Sequence, residues 1–172
     1  TLDEKSSIQV IANGLPASPG AASGKVVFSS EEAQRLNDMM QDTILVRVET
    51  SPEDIQGMHA AKGILTARGG MTSHAAVVAR GMGRPCVSGS SEIDINYEQK
   101  IFKTSSTEVK EGDIITIDGS TGRIIIGDVP TVKPEISGDF SKLMGWSDNV
   151  RKLKVRTNSE TPLDTKTARD FG

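Results

Sequence analysis

Gly69-Gly-Met-Thr-Ser-His-Ala-Ala-Val-Val-Ala-Arg-Gly-Met-Gly83 reads as a glycine-rich loop running into a short, smooth helix, with His74 at the junction. Gly69 and Gly70 carry no side chains, so the backbone can turn sharply there and a ligand can approach it closely. Thr72 and Ser73 are capping residue types, and the helix is expected to begin at about His74. The first amides of a helix have no internal partner and, with the helix dipole, favour an anion. A histidine in this place offers a nucleophilic ring nitrogen next to donors that stabilise a phosphate. Thr72 and Ser73 are candidates to donate hydroxyls to that phosphate or to orient the ring. Ala75 to Ala79 have no bulky side chain and suit close packing on a sheet. Gly81 and Gly83 are expected to end the helix, and Pro85 prevents its continuation.

Outward from this stretch the chain alternates strands and helices. Gly24 to Phe28 reads as a strand after a turn at Pro19-Gly20. Ser30 is expected to cap a helix running to about Met40. Thr43 to Val48 reads as a buried strand. Ser51-Pro52-Glu53-Asp54 is a helix start, with a cap, proline at the first position and acids in the first turn. That helix carries Ile55 and Met58 on one face and is expected to end near Gly63. Ile64 to Thr66 is a short strand delivering the chain into the Gly69 loop, and Cys86 to Ser88 is another after the helix. Ile114 to Ile117 and Arg123 to Ile126 flank turn residues 118–122, a hairpin signal. The pattern describes an α/β domain with a mixed sheet. It puts His74 beyond the C-terminal end of a strand, where such folds tend to bind ligands. Thr131 to about Asp139 reads as a linker, and Phe140 to about Lys152 as an amphipathic helix.

The chain has 172 residues, enough for one ordinary domain with short flanking segments. Twenty Lys and Arg against 23 Asp and Glu give a net charge of −3, which argues against nucleic acid as the main partner. No apolar run approaches the roughly 20 residues of a membrane helix, so no membrane partner is expected. The chain starts at Thr1 and is expected to be a piece of a longer polypeptide. Its one cysteine, Cys86, cannot form an internal disulfide, which suits a reducing intracellular compartment, cytoplasm or organelle. Aromatics make up only 3%, so aliphatic residues must fill the core.

Other candidates carry less. Gly20-Ala-Ala-Ser-Gly24-Lys25 has three residues between its glycines instead of four, and Val26 follows the lysine; it reads as turn plus strand, not as a phosphate loop. The only other histidine, His59, sits late in a helix. With one cysteine the two histidines make no metal-ligand set, so no metal is expected in this chain. Asp94, Glu98, Glu108, Glu111, Asp113 and Asp118 read as solvated. Arg68 and Arg80 flank the His74 loop and suit either a phosphate or a structural ion pair. Isolated histidines are more often structural than catalytic; the surrounding Gly-Gly, Thr-Ser and helix start are what shift the reading here.

Residues Gly69 to Gly89 closely resemble the phosphohistidine signature of the phosphoenolpyruvate-utilising enzymes. Met71, the Ala79 to Gly83 run and Cys86 to Gly89 are similar to the pyruvate, phosphate dikinase branch of that family. So is the tail Leu153-Lys-Val-Arg-Thr-Asn158 with Thr161-Pro162, which looks like the start of that branch's C-terminal barrel. The resemblance implies a swivelling β/β/α phosphohistidine domain over residues 1–130. It implies a linker with a connecting helix over 131–153, and an incomplete barrel start over 154–172. His74 would carry the phosphoryl group on Nε2, supported by Gly69, Gly70, Thr72 and Ser73, with Arg68 and Arg80 as possible phosphate contacts. The group would pass between an N-terminal nucleotide-binding domain and a C-terminal phosphoenolpyruvate/pyruvate barrel of the same polypeptide, in a homodimeric parent enzyme. ATP, phosphate and pyruvate would be interconverted with AMP, diphosphate and phosphoenolpyruvate. Mg²⁺ would be held outside this chain. In plant members the threonine two residues before the histidine is a regulatory phosphorylation site, a position filled here by Thr72. A plastid or a glycosome-like organelle joins the cytoplasm among the compartments. Two other readings stand beside this one: the equivalent carrier domain of phosphoenolpyruvate synthase or of enzyme I, and a non-catalytic scaffolding domain in which His74 is structural.

Overall fold

Ile44, Leu45 and Val46 are all fully buried, although side chains of a strand alternate between its two faces. A strand buried on both sides belongs inside a layered α/β domain, and the computed structural model has that form. It describes residues 8–130, 138–153, 156–157, 159 and 161–170. The chain divides into two compact units, Thr1–Lys133 and Pro134–Gly172.

In the first unit the elements run β1 (Val10–Asn13), β2 (Leu15–Ser18), β3 (Ala21–Val27), α1 (Ser30–Asp38), β4 (Thr43–Arg47), α2 (Ile55–Ala60), β5 (Gly63–Thr66), α3 (His74–Met82) and β6 (Cys86–Ser88). A small sheet follows, β7 (Asp94–Asn96), β8 (Ile101–Lys103) and β9 (Glu108–Lys110), and then the hairpin β10 (Ile114–Asp118) and β11 (Arg123–Ile126). The large sheet has eight strands in the order β1-β11-β10-β3-β4-β5-β6-β2. Its centre, β3 to β6, is parallel, and β10, β11, β1 and β2 join antiparallel. The sheet is therefore mixed, as expected.

Three layers result. Val27, Leu45, Ile64 and Cys86 face the helices, meeting Ala33 and Leu36 of α1, Met58 of α2, and Ala75, Ala76 and Ala79 of α3. Val26, Ile44, Val46, Leu65 and Ile117 face the other way and share a core with Phe102 and Val109 of the small sheet. The alanines of α3 have the role assigned to them, letting the helix lie close to the sheet.

Only Gly14 separates β1 from β2, yet the two strands lie at opposite edges of the large sheet. The sheet must curl until its edges meet there. Gly14 donates its amide to the Gly122 carbonyl at 2.8 Å. Gly122 has φ +81°, and a Cβ on it would lie 2.1 Å from the Gly14 oxygen, so no side chain fits at this closure.

Several boundaries differ from expectation. The cap of α1 is Ser29, whose side chain accepts from the Glu32 amide, and not Ser30, which is buried in the helix. The helix start at Ser51 is present and Ser51 and Asp54 form a capping box, but Pro52–Asp54 is one turn of 3₁₀ helix and α2 stops at Ala60. Gly81 lies within α3. The left-handed Gly83, φ +65°, ends the helix alone, because a single glycine in that conformation is enough to redirect the last amides. Asp118, expected to be solvated, is buried: its carboxylate closes the β10–β11 turn by accepting from the Ser120 amide, the Thr121 hydroxyl and Arg123.

The second unit holds α4 (Gly138–Val150) and α5 (Pro162–Asp170). Phe140, Leu143, Met144, Trp146 and Val150 of α4 are exposed. The expected linker falls largely on residues 131–137, outside those described. The barrel start expected over 154–172 falls in part on Lys154, Val155 and Asn158, which also lie outside them. The helix α5 was not foreseen.

Candidate functional site

Parallel strands β4 and β5 are neighbours, so the loops leaving their C-terminal ends lie side by side. The β5 loop leads through Gly69 to His74. The β4 loop carries Glu49 and Thr50. Glu49, Thr50, Arg68, Gly69, Ser73, His74 and Ala75 line one recess of about 240 Å³.

The ring of His74 is half-buried, and its Nδ1 lies 3.0 Å from Thr50 Oγ1. Nε2 has no hydrogen-bond partner among the described residues. If Nδ1 carries the proton, it donates to Thr50 and leaves the Nε2 lone pair free; a hydrogen bond on one ring nitrogen sets the role of the other. Thr50 escaped the sequence reading. Its signal was present, a polar residue before a Ser-Pro helix start at the end of a buried strand, but nothing local joins it to a histidine 24 positions on.

Ser73 caps α3, its Oγ accepting from the Ala76 amide at 3.4 Å. The same oxygen lies 3.3 Å from Ser88 Oγ, which accepts from the buried hydroxyl of Thr66 at 3.1 Å. Ser73 is thus a helix cap tied to a chain of buried hydroxyls. The amides of His74 and Ala75 have no partner among the described residues, so the nine-residue α3 presents two free donors at its start.

The glycines of the loop are there for space. Gly69 has φ +111°, and a Cβ on it would meet Ser73 at 2.9 Å. Gly89, at φ +63°, packs so closely that a Cβ would lie 2.3 Å from the Gly69 oxygen. A Cβ on Gly70, by contrast, would meet nothing. Thr72 is exposed, outside the recess lining.

The two arginines separate. Arg68 is exposed and lines the recess. Arg80 is turned to structure: its guanidinium donates to the carbonyls of Met71 at 2.6 Å and Ala17 at 3.2 Å, holding the loop to β2. Cys86 is buried in the core between sheet and helices. Burial pushes its thiol up to about 12, a small opposing effect coming from the charge of Arg80, so it is a packing residue. His59 is exposed, and its carbonyl accepts from Arg84 at 2.9 Å.

A second recess, of about 340 Å³, lies at Ser23, Lys25, Gln41, Asp42, Ile114 and Asp128; its lysine is already bonded to Gln41 at 3.0 Å. Among the described residues no group of three or more His, Cys, Asp or Glu side chains is placed to hold a metal ion. No described helix is long and apolar enough to cross a membrane.

Residues 39–122 match the family model of the PEP-utilising enzyme mobile domain. The chain is 56% identical over all 172 residues to the pyruvate, phosphate dikinase of Rhizobium meliloti (strain 1021), covering 100% of this chain and 19% of that protein. It is 58% identical over 164 residues to the pyruvate, phosphate dikinase of Clostridium symbiosum, covering 95% of this chain and 19% of that one. Against the chloroplastic pyruvate, phosphate dikinase 1 of Oryza sativa subsp. japonica the identity is 56% over 164 residues, covering 95% and 17%. The chain therefore spans about a fifth of the length of the curated relatives it matches.

Proposed function

Since the chain belongs to the PEP-utilising enzymes and carries their mobile domain, we propose that it is the phosphohistidine carrier of a pyruvate, phosphate dikinase. In this reading Nε2 of His74 attacks the β-phosphorus of ATP, the bond from that phosphorus to the AMP oxygen breaks, and a pyrophosphohistidine forms. Inorganic phosphate then takes the terminal phosphoryl as diphosphate. The phosphoryl left on Nε2 passes to the enolate oxygen of pyruvate, giving phosphoenolpyruvate and the free ring. The observation that supports this best is the 3.0 Å contact between His74 Nδ1 and Thr50 Oγ1. With Nδ1–H donating to Thr50, Nε2 is the nucleophile, and the positive charge that develops on the phosphorylated ring is stabilised through Nδ1–H.

The rest of the site supplies position and charge, which is most of what phosphoryl transfer asks of a protein. The free amides of His74 and Ala75 and the side chain of Arg68 are the donors for the phosphoryl oxygens. Gly69 and Ser73 hold the loop, Arg80 anchors it, and Gly70 leaves an approach to the recess open. Thr72, exposed and two residues before His74, is accessible to a regulatory kinase, and a phosphate there would repel the one on the ring. Mg²⁺, the nucleotide site and the pyruvate site belong to flanking domains of the parent polypeptide, in a reducing compartment.

Intact-mass analysis tests the proposal. The chain is mixed with phosphoenolpyruvate, Mg²⁺ and a parent enzyme whose own carrier histidine is replaced. One phosphoryl adduct, acid-labile and alkali-stable, is expected on the wild-type chain and none on His74→Ala. An adduct that survives in His74→Ala overturns the assignment. No adduct on the wild-type chain, when the same segment also fails grafted into the full polypeptide, overturns the carrier function itself.

A further inference from the structure

The loop that presents Thr50 is pinned from outside the parallel sheet, and we propose that Tyr97 is a positioning residue for His74, acting through that loop. The role in phosphoryl transfer rests on the carrier reading above; the effect on the ring does not.

Glu49 and Thr50 are bracketed by three hydrogen bonds to the backbone of Val48 and Ser51. The Val48 amide donates to the Tyr97 hydroxyl at 2.7 Å, and the Val48 carbonyl accepts from the Arg68 amide at 2.9 Å. On the other side the Ser51 amide donates to the Asp54 carboxylate at 3.0 Å. The Arg68 and Asp54 bonds come from the neighbouring strand's loop and from the helix start. Tyr97 comes from elsewhere, directly after β7 of the small sheet and 49 positions along the chain.

Its ring is oriented by contacts independent of the hydroxyl. Phe28 meets it edge-on, centroids 6.4 Å apart and planes at 84°, and the Arg47 guanidinium lies 5.2 Å from its centre. Arg47 is itself held by the Phe28 carbonyl at 3.0 Å and by Asp54 at 3.3 Å. Arg47 is the last residue of β4, so the ring that stacks on it brings its hydroxyl to the next amide in the chain. Asp54 also accepts from the Ser30 hydroxyl at 3.0 Å, tying the bracket to α1. Tyr97 is 42% exposed, so the core does not depend on its hydroxyl. What the hydroxyl does fix is the start of a turn whose third residue must stay within hydrogen-bond distance of His74 Nδ1. A displacement of about 1 Å in a reacting group costs about a hundredfold in rate, so a small slackening of this loop has a large lever.

The test is the ring itself. Long-range ¹H–¹⁵N spectra of the 172-residue chain report which nitrogen of His74 carries the proton, with exposed His59 as the internal reference. Tyr97→Phe keeps the ring and both of its contacts and removes only the hydroxyl. It is expected to move the His74 nitrogen shifts in the same direction as Thr50→Val, to leave those of His59 unchanged, and to speed hydrogen exchange at the Val48 amide. In the full-length enzyme the phosphoryl-transfer rate is expected to fall about three- to tenfold, the scale of one hydrogen bond, with KM for the nucleotide unchanged. Wild-type His74 shifts and a wild-type rate in Tyr97→Phe overturn the proposal. So does a loss of activity matched by general unfolding, seen as collapse of the amide spectrum. Altered ring shifts in a chain that accepts no phosphoryl group sustain the positioning role and remove the carrier reading instead.

Discussion

Thr50 Oγ1 lies 3.0 Å from His74 Nδ1 although 24 residues separate the two. The contact joins the ends of two adjacent parallel strands and gives the ring nitrogens different roles. Thr50→Val keeps the shape and removes the oxygen. Because the lost bond would serve a ring that becomes charged, the cost to phosphoryl transfer is expected to be about 1.5–3 kcal/mol, roughly ten- to a hundredfold in rate. Thr50→Ser should restore most of it. Rapid-quench measurement of phosphohistidine formation reads both; equal rates for the valine variant and the wild type would show that the oxygen does not matter.

Gly89 combines a left-handed backbone with a neighbour that leaves no room. A methyl at this position would lie 2.3 Å from the Gly69 oxygen, so Gly89→Ala must move the loop before His74. A loss of about 2 kcal/mol or more is expected, larger than an ordinary glycine-to-alanine strain, together with impaired phosphoryl uptake. Gly70→Ala, where a methyl meets nothing, is the control. Urea midpoints at constant slope measure the difference, and similar midpoints for the two variants would contradict it.

Burial pushes the Cys86 thiol up to about 12, so at pH 8 the native protein holds it as unreactive thiol. Iodoacetamide is expected to leave the folded chain unmodified over hours and to label it once in urea. Mass spectrometry counts the adducts. Prompt single labelling without denaturant would show that the strand β6 opens or that the thiol is accessible.

Burial by itself pushes the Asp118 carboxyl up, but bonds from the Thr121 hydroxyl, the Ser120 amide and Arg123 outweigh it and hold the group below its ordinary value of 3.8. The unfolded chain then binds this proton more readily than the native one. The stabilisation is fully present above the unfolded value and is lost as pH falls through the lower native value. Asp118→Asn is expected to cost about 1–3 kcal/mol at neutral pH and to flatten the acid limb of the stability curve below pH 4. Urea titrations from pH 7 to pH 2 distinguish this from an acid limb that the substitution leaves unchanged.

The His74 loop was legible because its information is local. Paired glycines, a capping serine and a run of alanines each act over a few residues, and the helix begins at the expected position. The strands of the parallel core and the last hairpin were legible for the same reason. The short strands β1 and β2 were not, since Val10 to Ser18 has no clear alternation and is interrupted at Gly14 and Pro16. Ser29 and Ser30 are equally good caps on paper; the buried contact of Ser30 with Asp54 is what makes Ser29 the cap.

What the sequence determined by itself, then, was the glycine-rich loop, the helix that begins at His74 and an α/β domain around them, since backbone freedom, capping and hydrophobic period are properties of short segments. Only the tertiary structure decided which residues meet His74 and hold its loop. Thr50 reaches His74 because β4 and β5 are adjacent, Tyr97 reaches Val48 because the small sheet lies on that side of the core, and Arg80 reaches the Ala17 carbonyl because α3 lies against β2. Each is a contact between segments far apart in the chain, set by strand order and packing, and no local pattern encodes a partner's position.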